Sequence, residues 1–221
     1  MQNGAASQKA RPPVWLFDLD NTLHDATPHI FPRINRAMTD YIMRHLSVDE
    51  AEANQLRQRY WARYGATLRG LVAHHDVRAE HFLHETHQFP DLAQVLIHDR
   101  RLRHLLPRLP GRKILFSNAP QHYARAVLRQ MRISHCFEAV YAIEHLRFRP
   151  KPQTSAYQKL LSDLRLDPPQ CVMVEDSLEN LATAKRLGIR TVWVSTSTRR
   201  PACVDFKISQ AAELSRLAVR L

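Results

Sequence analysis

Three times along this chain a short apolar run breaks off abruptly into carboxylate, hydroxyl or amide side chains. Val14-Trp15-Leu16-Phe17 runs into Asp18-Leu19-Asp20-Asn21-Thr22, Lys113-Ile114-Leu115-Phe116 into Ser117-Asn118, and Cys171-Val172-Met173-Val174 into Glu175-Asp176. Unbroken apolar runs of this length suit strands buried on both faces. Residues 139–142 and 191–194 read as two further strands. Helical patterns fill the intervals at residues 123–131, 153–164 and 178–187, the last stopped by Gly188. Strands alternating with helices predict an α/β fold, a parallel sheet covered on both faces. Such sheets bind ligands at the carboxyl ends of their strands, where the polar residues fall.

Between the first two runs the pattern changes. From about Thr27 to about His98 helical periodicity continues with no convincing strand. Thr27-Pro28 reads as an N-cap with proline in the first turn. Ser47-Val48-Asp49-Glu50 reads as a capping box, opening a helix that stops near Tyr64-Gly65. Further helices are expected at residues 67–75, 78–88 and 99–106.

The strand-end residues fit one chemistry together. Asp18 and Asp20, two residues apart past a strand, can face one pocket if the chain turns there. Carboxylates of this kind suit a hard cation such as Mg2+, which takes one or two of them together with substrate phosphate. A carboxylate can attack phosphorus once its charge and that of the ester are neutralised. A second carboxyl group can protonate the leaving oxygen and then activate water. A lysine, here Lys151 in Arg149-Pro150-Lys151-Pro152, and a hydroxyl or amide would hold the remaining phosphoryl oxygens.

These residues carry a resemblance. Asp18-Leu19-Asp20-Asn21-Thr22 resembles the D-x-D-x-T motif of the haloacid dehalogenase-like (HAD) phosphatases, Phe116-Ser117-Asn118 the second motif, Lys151-Pro152 the third, and Val174-Glu175-Asp176-Ser177 the fourth. The motifs are in order and span roughly residues 14–195, most of the chain. The resemblance implies a Rossmann-like core (residues 13–24 and 99–221) and an α-helical C1 cap (residues 25–98); residues 1–12, ended by Pro12-Pro13, read as a tail. It implies Asp18 as nucleophile and metal ligand, and Asp20 as acid/base with its backbone carbonyl on the metal. Ser117 and Lys151 would bind the phosphoryl group, and Asp176 would complete a Mg2+ site; the role of Glu175 stays open. Within the cap, residues 60–71 (Tyr60 to Leu71) are similar to a segment of the pyrimidine 5′-nucleotidase branch, as is the region from Asn118 to Leu128. That implies a pyrimidine nucleoside monophosphate as substrate, with Asn118, Tyr64, Thr67 and Arg69 as candidate contacts. A phosphatase for phosphoglycolate or a sugar phosphate, and a HAD-fold protein that binds through its basic surface, are the alternatives.

Composition narrows the rest. The 221 residues carry 32 Lys plus Arg against 21 Asp plus Glu, a net charge of +11 that would draw in anionic substrates. The arginines are spread, with the densest run from Arg100 to Lys113, and no zinc-finger or RNA-recognition signature accompanies them. Sequence-specific nucleic-acid binding is not expected. Cys136, Cys171 and Cys203 form neither a disulfide framework nor a metal motif. No run reaches the roughly 18 apolar residues of a membrane span, and the first residues hold no apolar signal core, so a cytoplasmic protein is expected. His84-Glu85-Thr86-His87 is one residue short of the zincin spacing. His81, His84 and His87 share one helical face, expected to be solvated.

Overall fold

The computed structural model describes residues 12–217. The expected tail falls almost wholly outside them. Strand β1 (Val14–Phe17) is followed by β2 (His24–Asp25), and four helices come next: α1 (Ile30–Leu46), α2 (Glu50–Tyr64), α3 (Thr67–His74) and α4 (Ala79–Thr86). A short α5 (Leu92–Val95), β3 (Ile97–His98) and α6 (Leu102–Leu105) lead to β4 (Arg112–Phe116). Then α7 (Gln121–Gln130), β5 (Ala139–Tyr141), α8 (Thr154–Asp163), β6 (Cys171–Glu175), α9 (Leu178–Arg186) and β7 (Arg190–Val194) alternate. Strand β8 (Phe206–Ile208) and α10 (Leu214–Leu217) follow.

The six-stranded sheet has the order β5-β4-β1-β6-β7-β8 and is parallel throughout. This is the α/β architecture that the alternating pattern predicts, in the Rossmann-like form that the resemblance implies. β1 lies in the middle, its residues in register with Arg112–Leu115 on one side and Cys171–Val174 on the other. Successive side chains serve opposite faces. Val14 and Leu16 join one core with Tyr157 and Leu160 of α8 and Leu181 of α9. Trp15 and Phe17 join the other with Tyr123, Val127 and Leu128 of α7 and Leu214 of α10. Burying each of these large apolar side chains contributes about 1.5–3 kcal/mol. That double coverage explains the unbroken apolar runs.

Several local expectations are corrected. The first helix starts at Ile30, not at Thr27-Pro28, which lie in a turn; the Ile30 and Phe31 amides donate to Ala26 O. Asp49, not Ser47, caps α2: its side chain accepts from the Glu52 amide, while Ser47 ends α1 in the left-handed region. The stretch read as strand-free ends in β3, which pairs antiparallel with β2. The chain therefore leaves β1 and returns toward β4 through adjacent strands only two residues long, too short to show a period. The helix expected over residues 99–106 is one turn, Leu102–Leu105, followed by a 3-10 turn. The edge strand β8 carries no continuous apolar run and was not expected.

Helices α1 to α4 pack on one another through Tyr41, Ile42, Leu56, Tyr60, Leu71 and Phe82. Gly65 ends α2 in the left-handed conformation (φ 73°), its amide donating to Trp61 O, as the sequence implied. Gly70 is fixed by close approach: a Cβ there would lie 2.1 Å from Cγ of the Tyr60 ring. The α2–α3 contact is therefore closed by a missing side chain. Among the described residues no helix is long and apolar enough to cross a membrane.

Candidate active site

The polar strand ends converge on a cavity of about 620 Å³ between the sheet and helices α1 to α4. Asp18 and Asp20 both line it, since the chain turns back at Asn21 (φ 61°). The Asp18 amide continues the β1–β6 ladder by donating to Val174 O at 3.0 Å. Ser117, at the end of β4, is buried in the lining, and its hydroxyl accepts from the Ala119 amide. Glu175 ends β6 and Asp176 follows it, both in the lining. Trp193 Nε1 donates to Asp176 O and ties that loop to β7.

Lys151 enters from the loop before α8 and is almost fully buried. Its Nζ donates to Asp18 Oδ1 and to Glu175 Oε2, each at 2.7 Å. Asn118 clamps that loop, with Nδ2 donating to Lys151 O and Oδ1 accepting from the Lys151 amide. The amide expected to reach substrate is thus spent on backbone. Glu175, left without a role by the sequence, has its other oxygen accepting from the Ser177 amide at 3.2 Å.

Burial, then repulsion from Glu175, pushes Asp18 up from 3.8 to about 7, against the pull of Lys151. Burial also raises Glu175 and Asp176. For Lys151, burial opposes the charge but the Asp18 and Glu175 carboxylates outweigh it, so its pKa rises. One ammonium thus faces an excess of carboxylate. Ligand oxygens of Asp18, Glu175 and Asp176 all lie within 4.8 Å of one another. An all-oxygen set short of positive charge fits a hard dication such as Mg2+.

Asp20 is held differently. Its Oδ1 accepts from Tyr123 Oη at 2.8 Å and meets His24 Nε2 at 2.9 Å. Its carboxylate lies outside the metal-type group. His24 (β2) and Tyr123 (α7) were missed because nothing in the linear pattern links residues 99 positions apart.

On the helical side the expectations divide. Thr67 and Arg69 line the cavity, although the Thr67 hydroxyl donates to Arg57 O and Arg69 Nη1 to Tyr64 O. Tyr64 is not in the lining; its hydroxyl bonds His74 Nε2 on the exposed side. Trp61, not among the candidate contacts, stands 67% exposed in the cavity lining, which also holds Phe31. Arg57, also missed, lines the cavity with Nη1 donating to Asn35 Oδ1. Their i, i+4 spacing on α2 was the available signal, because such residues share a face. His87, expected on a solvated face, is buried in the lining; burial lowers its pKa to about 4.

Residues 14–188 match the family described as haloacid dehalogenase-like hydrolase. Phosphate metabolism protein 8 of Saccharomyces cerevisiae is 23% identical over 194 residues, 80% of this chain and 59% of the yeast protein, so the chain spans less than two thirds of that relative. A phosphoglycolate phosphatase of Rhodospirillum rubrum is 29% identical over 196 residues, 83% of this chain and 80% of its own length. The crystal structure of CbbY from Rhodobacter sphaeroides in complex with phosphate shares the fold, with a TM-score of 0.68 at 20% identity, covering 95% of this chain and 100% of that one.

Lys151→Met tests the charge balance. It leaves the Asp18 and Glu175 carboxylates buried without their cation, and should cost about 3–5 kcal/mol in the chelated protein. With the ammonium present the folded Asp18 value is about 7; removing it raises that value further, so the extra loss is absent while the carboxyl stays protonated and appears as pH climbs past about 7. The loss should therefore be larger at about pH 8 than at about pH 5. Urea unfolding at both pH values measures it; a pH-independent loss below about 1 kcal/mol would refute the balance.

Proposed function

This chain belongs to the haloacid dehalogenase-like hydrolases, and we propose that it is a Mg2+-dependent phosphatase for small phosphomonoesters, with pyrimidine nucleoside 5′-monophosphates preferred. The observation that carries the reading is the buried Asp18–Lys151–Glu175 cluster, whose two carboxylates line a cavity that also holds Phe31 and Trp61. Helices α1 to α4 act as a cap, which excludes water and restricts the leaving group to small molecules. A cytoplasmic setting matches cysteines that are all free.

In this reading an Asp18 oxygen attacks phosphorus as the bond to the ester oxygen breaks, giving an aspartyl-phosphate. Asp20 gives its proton to the departing oxygen, then takes one from the water that hydrolyses the acyl phosphate. The Lys151 ammonium and the Ser117 hydroxyl hold the transferring oxygens. Asp18 and Asp176 carboxylates with the Asp20 carbonyl would hold Mg2+, which when bound supplies charge neutralisation for nucleophile and phosphate. Glu175 fixes Lys151 from the other side.

Substrate choice rests on the cap. Phe31 and Trp61 offer flat apolar surface, and Arg57 and Arg69 offer donors nearby. A nucleobase uses such a surface, whereas a two-carbon acid leaves most of it empty. The similarity of residues 60–71 to the pyrimidine branch supports the smaller ring. A second reading, phosphoglycolate, is favoured by the similarity to phosphoglycolate phosphatases, among them those of Rhodospirillum rubrum and Colwellia psychrerythraea.

Phosphate release from UMP, CMP, AMP, GMP and phosphoglycolate decides between them. UMP and CMP should give the highest kcat/KM, and Trp61→Ala should lower it by about tenfold through lost stacking. A clear preference for phosphoglycolate, indifferent to Trp61→Ala, would replace the nucleotidase reading with the second.

The hydrogen bonds on Asp20 give a separate test. Tyr123→Phe removes one donor from Asp20 Oδ1, so the acid loses part of its aim. For an alkyl ester, whose oxygen needs a proton to leave, kcat/KM should fall about tenfold or more. For p-nitrophenyl phosphate, whose leaving group departs unaided, it should change far less. Equal losses on both would deny Asp20 the acid role.

A further inference from the structure

A second group of ligating side chains lies among α1 and α4, and none of its members lines the cavity above Asp18. We propose that His45, His81 and Glu85 form a binding site for a transition-metal dication of the zinc type. His45 sits in the last turn of α1; His81 and Glu85 are one turn apart on α4, on the same face. One ligand atom from each of the three residues lies within 4.8 Å of the others.

The site is built beyond its ligands. His81 Nδ1 is 3.0 Å from Tyr41 Oη, which leaves Nε2 facing Glu85 Oε1 at 3.1 Å. The other Glu85 oxygen accepts from Arg44 Nη2 at 2.8 Å, so Oε1 is aimed at the imidazole. The His45 ring stacks on Tyr41 with centroids 4.0 Å apart and planes 25° apart, and stands 5.3 Å from the His81 ring. Outer partners of this kind fix ring orientation and tautomer in metal sites. An ion pair between His81 and Glu85 accounts for two members of the group; stacking on Tyr41 holds the His45 ring beside them, and a cation would use its nitrogen as the third ligand.

Two imidazole nitrogens and a carboxylate oxygen select zinc-type cations over Mg2+, which prefers oxygen alone. Binding uses the His81 tautomer whose Nδ1–H donates to the Tyr41 hydroxyl, which leaves the Nε2 lone pair for the cation. An adjoining cavity of about 410 Å³, lined by Tyr41, His45, His75, Asp76, Arg78 and His81, leaves room for water to complete a tetrahedral shell. The consequence is mechanical: the cation ties the end of α1 to the middle of α4.

The test is calorimetric titration of the full, metal-stripped chain with Zn2+ in excess Mg2+, which keeps the Asp18 group occupied. One Zn2+ should bind and raise the thermal unfolding midpoint. His45→Gln and His81→Gln should each weaken binding by about tenfold or more and abolish the midpoint shift. His135→Gln, at an exposed histidine elsewhere, should bind as the unaltered chain does. Unfolding midpoints in chelator establish that the exposed substitutions leave the fold intact. No Zn2+ binding, or binding unchanged in His45→Gln and His81→Gln, would overturn the site.

Discussion

Lys151 Nζ lies 2.7 Å from a carboxylate oxygen of Asp18 and 2.7 Å from one of Glu175, and all three residues are withdrawn from water. Removing such charges from water costs several kcal/mol per ion, and their attraction offsets it only where the geometry is held tightly. Much of the fold serves to hold it. β1 and β6 are neighbours, so Asp18 and Glu175 emerge side by side, and the Asp18 amide extends the ladder to Val174 O. Asn118 at the end of β4 bonds both backbone groups of Lys151 and fixes where the ammonium arrives. Trp193 on β7 secures the Asp176 loop. Sheet, loop and charge cluster are one construction: the parallel core brings β1, β4 and β6 to a common edge, and the polar residues at their ends meet there.

This explains which parts of the molecule were legible beforehand. A strand buried on both faces must be apolar along its length, so β1, β4 and β6 announced themselves, and Asp18, Ser117 and Glu175 marked where each one stops. Gly65 and Gly188 marked helix ends because the left-handed turn there suits glycine. The rest was hidden for physical reasons. β2 and β3 are too short for periodicity, and β8 is an edge strand with only Ile208 buried. Asp20's partners His24 and Tyr123 come from separate elements, and only packing brings them together. Trp61 and Tyr60 are adjacent in sequence, yet Tyr60 closes on Gly70 while Trp61 turns out to the cavity.

The helices over the strand ends divide their side chains between holding themselves together and facing the cavity. Thr67 and Arg69 reach the lining but also bond backbone within the helical layer, so they shape the cavity wall as well as presenting polar atoms to it. Arg57 brings a cation toward a site already crowded with carboxylates, which suits an anionic ester. The densest basic run is partly neutralised at home: Arg101 pairs with Asp99, and Arg112 with Glu138. The surplus charge gives a general attraction for anions.

The claim on which this account stands is that Asp18 takes the phosphoryl group. Rapid acid quenching during turnover of a substrate labelled in its phosphoryl group, followed by peptide mapping, tests it directly. Label is expected on the peptide containing Asp18, formed within the first turnover and absent from Asp18→Asn. Steady phosphate release with no labelled carboxylate at any time, or label on a peptide without Asp18, would contradict it.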